Sequence, residues 1–307
     1  MTLTTDHFSK DQTQLNIPKP NFMIIGSAKC GTTTLADVLA SHPNCCFSKP
    51  KEVRFFDNDE SYYKGWEWYR QAFSHYNGEK LIGEATPRYT ALGSVPDCAE
   101  RIYSFNPHTK IVYIVRHPYK KLISSWKMHF SNSAHKSYHE ACQGFEYYLR
   151  ETQKKYKYLD HCLYDYQLEA YRKLFPQQQI LVLFLEDWIH NSNQESLKLC
   201  NFLGLEHSQL PDFSKEGSNR AEQKTKKNKI ICYLGQASYL KTIRQLIPSP
   251  IRKSILKSPI VSKPITYPSV EISANYKQEI LNYLQEDAVK FLKRYDKIES
   301  FWDFDNI

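Results

Sequence analysis

"FMIIGSAKCGTTTLADVLA", residues 22–40, places a short apolar run before a glycine-bearing turn and a helical pattern. The run Phe22–Ile25 reads as a buried strand, and Leu35, Val38 and Leu39 recur on one face of the following helix. A strand that turns through glycine into a helix aims backbone N–H groups and a helix N-terminus at one spot, which attracts anions. The local pattern is Gly26-x4-Gly31-Thr32-Thr33, close to the phosphate loop G-x4-G-K-[ST]. It departs where a nucleotide-triphosphate loop needs its lysine: Thr32 stands there, and Lys29 sits two residues before the glycine. A lysine in mid-loop suits the bridging and leaving-group oxygens of a shorter anion. Asp187 in "LFLEDW" is only a weak candidate for a magnesium-holding aspartate after an apolar strand. Cys30 reads as a small residue fitted into the loop rather than as a nucleophile.

Outward from this loop, apolar runs alternate with helical patterns. "KLIGEATP" (80–87), "KIVYIVRHP" (110–118) and "QILVLFLEDW" (179–188) contain further strands. Between them, "SVPDCAERIYSFN" reads as a helix entered through Ser94 with Pro96 in its first turn, and a helix follows from about Tyr119 to Phe130. "FEYYLRETQKKY", "DYQLEAYRKLFP" and "NQESLKLCNFLGL" are helical, the last stopped by Gly204, and "ISANYKQEILNYLQEDAVKFLKRY" is a long amphipathic helix. The expected fold is α/β: one P-loop-like domain over residues 21–307, with a central, mainly parallel sheet flanked by helices. Residues 1–20 read as a polar arm, and the basic, proline-marked segment 213–268 as a mobile lid.

Hydrophobic residues at 41% and charged residues at 24% exclude a disordered chain, and "ILVLFL" is too short to span a bilayer. The polar N-terminus lacks the apolar core of a secretory signal, so a cytoplasmic location is expected. The eight cysteines show no C-x-x-C or zinc spacing and read as reduced and mostly buried; His129, His135 and His139 lack a metal-binding pattern. The net charge of +8 is concentrated: Lys215 to Lys263 holds 12 Lys/Arg and two Glu, a net of +10, which favours an anionic ligand or a solvated face. The aromatics of "SYYKGWEWYRQAF" are expected mainly to pack against the sheet.

Two more stretches bear on the loop. "IVYIVRHPYKKLISSW" sets Arg116 just past a strand end, with Ser124 and Ser125 on the next helix, where a second phosphate could be pinched. "SKPKEVRFFD" sets the carboxylate of Glu52 among basic and aromatic residues, suiting a base beside an anionic donor. Together with "SAKCGTTTL", these stretches resemble the sulfotransferases that use 3′-phosphoadenosine 5′-phosphosulfate (PAPS). "KEVRFFD" followed by "GEATPRY" is similar to the branch holding heparan sulfate sulfotransferases and bacterial relatives.

The resemblance implies that Lys29 neutralises the leaving phosphate and sulfuryl oxygens, while Cys30, Gly31, Thr32, Thr33 and Thr34 hold the 5′-phosphosulfate. It implies that Arg116 and Ser124 hold the 3′-phosphate and that Glu52 takes the acceptor's proton. Arg220 and Lys263 are the alternatives for a late basic contact to the cofactor. No metal is implied, and the product would be 3′,5′-adenosine bisphosphate. The branch carries a lysine before its Thr-Pro where this chain has Ala85, with Arg88 nearby as a substitute. His117 does not occupy the place of the catalytic histidine of the phenol and steroid enzymes. The expected partner is a small-molecule or oligosaccharide acceptor, with no nucleic acid or membrane, and His129 and Tyr164 are candidate acceptor contacts. Two other functions stay open: a P-loop kinase using ATP and magnesium, and nucleic-acid binding through the 215–263 block.

Overall fold

A computed structural model describes residues 17–210 and 262–307, together with the short strand Thr225–Lys227. Its centre is a five-stranded, wholly parallel sheet in the order β2-β3-β1-β4-β5. The strands are β1 (Phe22–Gly26), β2 (Cys45–Phe47), β3 (Leu81–Ala85), β4 (Lys110–Val115) and β5 (Ile180–Phe184). All five residues of β1 are buried, as expected of a central parallel strand covered on both faces. β3 and β4 flank β1 on opposite sides, with Ile24 opposite Ala85 on one and Val112 on the other. Successive connections therefore part at the carboxyl end of β1, where open α/β sheets form their ligand crevice.

The helices begin near where their patterns place them. α1 (Thr32–Ala40) follows the loop and buries Leu35, Val38 and Leu39. Farther along, the helix Pro118–Ser131 starts on a proline directly after β4, with His117 as its cap. Helix Cys98–Phe105 starts later than Ser94 because Asp97 accepts the Glu100 N–H and takes the capping role. The strand expected at 179–188 ends at Phe184, and Leu185–His190 is helical. Gly204 closes the helix Ser192–Leu203 in the left-handed conformation. The C-terminal helix Ala274–Arg294 buries Tyr276, Ile280, Leu284, Ala288 and Phe291, and its Asp287 reaches across to accept the N–H groups of Asp165 and Tyr166 at 3.0 and 2.9 Å. That carboxylate caps the helix Tyr164–Leu174, which lacks a cap of its own.

Most of the aromatics of residues 62–73 pack, as expected, while Tyr63 is exposed. Tyr69 stacks on Phe55 at 4.3 Å, while Phe56 and Phe105 meet them edge-on. Of the seven described cysteines all are free thiols and only Cys142 is exposed. Residues 1–16 of the arm and nearly all of the 213–261 block, Arg220 included, lie outside the described residues. Thr225–Lys227 pairs antiparallel with Ser262–Pro264, setting the backbone of Lys263 opposite Lys226. Among the described residues no helix is long and apolar enough to cross a membrane.

Candidate active site

The loop between β1 and α1 is held from three directions. The Ser27 N–H donates to the carbonyl of Ile114 on β4 at 2.7 Å, continuing the sheet by one bond. The ammonium of Lys121, itself 4% exposed, donates to Ser27 Oγ at 2.6 Å and to the carbonyl of His161. Arg116, just beyond β4, donates through Nη1 to the carbonyl of Lys29 at 3.3 Å. Sequence reasoning missed Lys121; its signal was a second lysine on the apolar face of the helix after "RHP".

Within the loop, Lys29 and Gly31 both have positive φ, 68° and 97°. At Gly31 a side chain would also meet Leu185, its Cβ falling 2.9 Å from Cδ1, so the turn into α1 requires glycine twice over. α1 carries no acidic residue in its first turn and no side-chain cap on Gly31, so its positive end faces the crevice unopposed. Thr32 is buried, while Thr33, Thr34 and Lys29 are half-buried at the crevice. Cys30 faces the core: burial pushes its thiol pKa up, and Tyr164 Oη lies 3.7 Å from its Sγ. An inert thiol agrees with the reading of Cys30 as a fitted residue.

The structure thus joins Lys29 and Arg116, 87 residues apart, in one hydrogen-bonded unit. The Nε of Arg116 is buried and has no partner among the described residues. A buried guanidinium donor left unpaired beside an uncapped helix end is a seat that fits an anionic group such as an adenylate phosphate. Ser124 lies two turns into the helix Pro118–Ser131, half-buried. Asp187 does not serve this loop: its carboxylate is paired with Lys297 at 2.7 Å. His117 is fixed elsewhere, its Nδ1 accepting from the Tyr119 N–H and its Nε2 3.1 Å from the Asp303 carbonyl.

On the other side of β1, the turn Pro87–Thr90 abuts the start of the loop so closely that a Cβ on Gly26 would lie 2.3 Å from Thr90 Oγ1. The segment after β2 runs over this turn and presents Glu52, 47% exposed and 3.4 Å from Lys51 Nζ. Arg54 and Arg88 both donate to Asp57 Oδ2 at 3.0 Å, so Arg88 is braced at the crevice rim by a buried carboxylate. Ala85 is buried inside β3 and offers no cation to this rim, where Arg88 lies beside Arg54.

Two expected acceptor contacts are corrected. Tyr164 is 0% exposed, with its hydroxyl donating to the Arg116 carbonyl at 2.7 Å; it supports the anion seat from behind. His129 is 3% exposed, accepting or donating at Nδ1 with Tyr148 Oη at 2.9 Å and stacked on His135 at 3.7 Å. A single residue carries no periodic signal of its burial, so the sequence does not show that either side chain is core. Burial, then the charges of His135, Lys29 and Lys136, hold the His129 imidazole down to about 3. Burial and nearby cations likewise hold His161 at about 3, and burial holds His117 at about 4.

These three rings therefore stay neutral in the fold while the unfolded chain protonates them near pH 6.5. Their stabilisation is complete above that pH and is lost as pH falls toward 4 and below. Thermal unfolding followed from pH 7.5 to 4.5 is expected to show a steadily falling Tm below pH 6.5; a flat profile contradicts the burial of these rings.

A family model of the sulfotransferase domain matches residues 19–242. Heparan sulfate glucosamine 3-O-sulfotransferase 5 of Homo sapiens is 33% identical over 181 residues, covering 57% of this chain and 51% of that protein. Membrane-associated sulfotransferase kil1 of Dictyostelium discoideum is 37% identical over 134 residues, covering 40% of this chain and 27% of its own length. The chain spans about half the length of the heparan sulfate 3-O-sulfotransferase 5 proteins it matches. A solved sulfotransferase from Alicyclobacillus acidocaldarius shares the fold at a TM-score of 0.61 and 20% identity, over 93% of this chain and 99% of that one.

Proposed function

From the premise that this chain belongs to the sulfotransferase domain family, we propose that it moves a sulfuryl group from PAPS to a hydroxyl or nitrogen of a small molecule or glycan. The donor supplies an activated sulfuryl group on a phosphate that leaves as part of 3′,5′-adenosine bisphosphate. Lys29 meets the charge that grows on the phosphate oxygen as its bond to sulfur breaks. The first amides of α1 and the hydroxyls of Thr32, Thr33 and Thr34 orient the 5′ end. Arg116 and Ser124 hold the 3′-phosphate, and Arg116 couples the two ends through the Lys29 carbonyl. As the acceptor oxygen or nitrogen bonds to sulfur, its proton passes to the carboxylate of Glu52. Arg88 meets an acceptor at the rim in this reading, and Lys263 or Arg220, whose side chains lie outside the described residues, is the late basic contact to the cofactor.

The observation that carries this reading is Arg116: a guanidinium that braces the loop yet keeps a buried Nε without a partner among the described residues. The glycan acceptors named for relatives support a carbohydrate hydroxyl within the proposed acceptor class. A cytoplasmic location belongs to the same proposal. Titration calorimetry in EDTA with 3′,5′-adenosine bisphosphate is expected to show tight, metal-independent binding. Absence of that binding, with magnesium-dependent ATP binding in its place, would return the kinase reading. Nothing in the described residues favours that alternative, since Asp187 is committed to Lys297.

A further inference from the structure

Glu84 lies on the central sheet, 0% exposed, with no ion-pair partner among the described residues. Four donors converge on it: Tyr69 Oη at 2.6 Å and Tyr89 Oη at 2.7 Å on Oε1, Thr86 Oγ1 at 2.7 Å and the Val53 N–H at 3.3 Å on Oε2. Burying a carboxylate in an apolar sheet is costly, and a well-packed apolar residue would commonly stabilise the fold more. The carboxylate is therefore explained by what it orients.

It orients hydroxyls. Because Thr86 Oγ1 and Tyr89 Oη spend their protons on Glu84, their oxygens are left as acceptors. Thr86 Oγ1 then accepts the Arg54 N–H at 3.4 Å, and Tyr89 Oη accepts those of Phe55 and Phe56 at 3.2 and 3.4 Å. Four consecutive amides, Val53 to Phe56, are thus held by one buried carboxylate and the two hydroxyls it aims. Their segment includes Arg54 at φ 59°, a left-handed turn that a free loop does not favour. The residue immediately before it is Glu52.

We propose that Glu84 is a positioning residue for sulfuryl transfer, acting through Thr86, Tyr89 and the amides of residues 53–56 to hold Glu52 at the crevice. The proposal rests on the reading of Glu52 as base. Glutamine at position 84 is the sharp probe, since its NH2 would face groups that are themselves donors and would force a hydroxyl to reverse.

The assay is hydrolysis of labelled PAPS, in which water is the acceptor: its oxygen bonds to sulfur, the bond to phosphate oxygen breaks, and a proton passes to Glu52. Glu84→Gln is expected to slow this hydrolysis by about 10²-fold, within the range of a lost general base. It should leave the dissociation constant for 3′,5′-adenosine bisphosphate within about twofold, because no member of the network holds a phosphate. Amide exchange at residues 53–56 should accelerate by about tenfold or more as these bonds open. Tyr89→Phe should reproduce the exchange effect at residues 55 and 56. In a Glu52→Gln background, Glu84→Gln should add almost nothing, as expected of groups acting as one unit.

Full hydrolysis by a folded Glu84→Gln protein overturns the proposal, as does an equal cost in both backgrounds or a parallel loss of nucleotide affinity. Unchanged exchange in both Glu84→Gln and Tyr89→Phe overturns it without any reference to activity. Full turnover by Glu52→Gln alone removes the base and takes the positioning role with it, and that result comes from a variant in which Glu84 is intact.

Discussion

Replacing Lys29 with alanine is expected to lower kcat/KM for sulfuryl transfer by about 10³-fold, or about 4 kcal/mol of transition-state stabilisation. Lys29 lies two residues before Gly31, which opens α1, in a loop held by Ile114, Lys121 and Arg116. Charge developing on the bridging oxygen meets it without reorganisation of the loop, which is where such a group has its largest effect. The residue's backbone also matters, since Lys29 has φ 68° and left-handed residues other than glycine cost about 1–2 kcal/mol. Lys29→Gly separates the two contributions, because it relieves the strain and removes the charge. Both variants should lose hydrolysis of labelled PAPS to a similar degree, with Lys29→Gly retaining a Tm at or above the wild-type value. Near-normal turnover in Lys29→Gly would leave the loop with a structural role only.

Arg116→Ala is expected to weaken 3′,5′-adenosine bisphosphate by roughly 100-fold, about 3 kcal/mol, the upper range for hydrogen bonds to a charged group. Two losses combine in this variant. The Nε that has no partner among the described residues no longer meets the ligand, and the brace from Nη1 to the Lys29 carbonyl disappears. Turnover at saturating donor should therefore fall as well, by about tenfold, through the displaced loop. Arg116→Lys should not restore affinity, because an ammonium cannot serve a phosphate and a carbonyl through a planar fork. Calorimetry on the two variants is the direct measurement. Wild-type affinity in Arg116→Ala, with the fold intact, would remove the 3′-phosphate assignment.

Much of the molecule was legible because its signals are local. A strand of four apolar residues, a glycine turn and a helix face repeating at three and four residues announce one βα unit without any tertiary information. The elements were located wherever the run was long: Phe145–Tyr156 begins and ends where its pattern does. The strand Cys45–Phe47 escaped because three residues carry no period, and it exists only by pairing with β3. The spacing of Ser94 before Pro96 suits a helix cap, yet Asp97 holds that place.

By itself, then, the order of residues determined the parallel α/β design, the loop with its displaced lysine and the strand-end arginine, since each is written within a window of one turn or one strand. Folding alone decided what those residues face. Tyr164 and His129 became core, Lys121 became the support of the loop, and Glu84, with the Thr86 and Tyr89 hydroxyls it aims, gathered four amides of a segment about thirty residues earlier in the chain. The reason is physical: a side chain's burial and its hydrogen-bond partners are set by elements distant in the chain, and no local period encodes them.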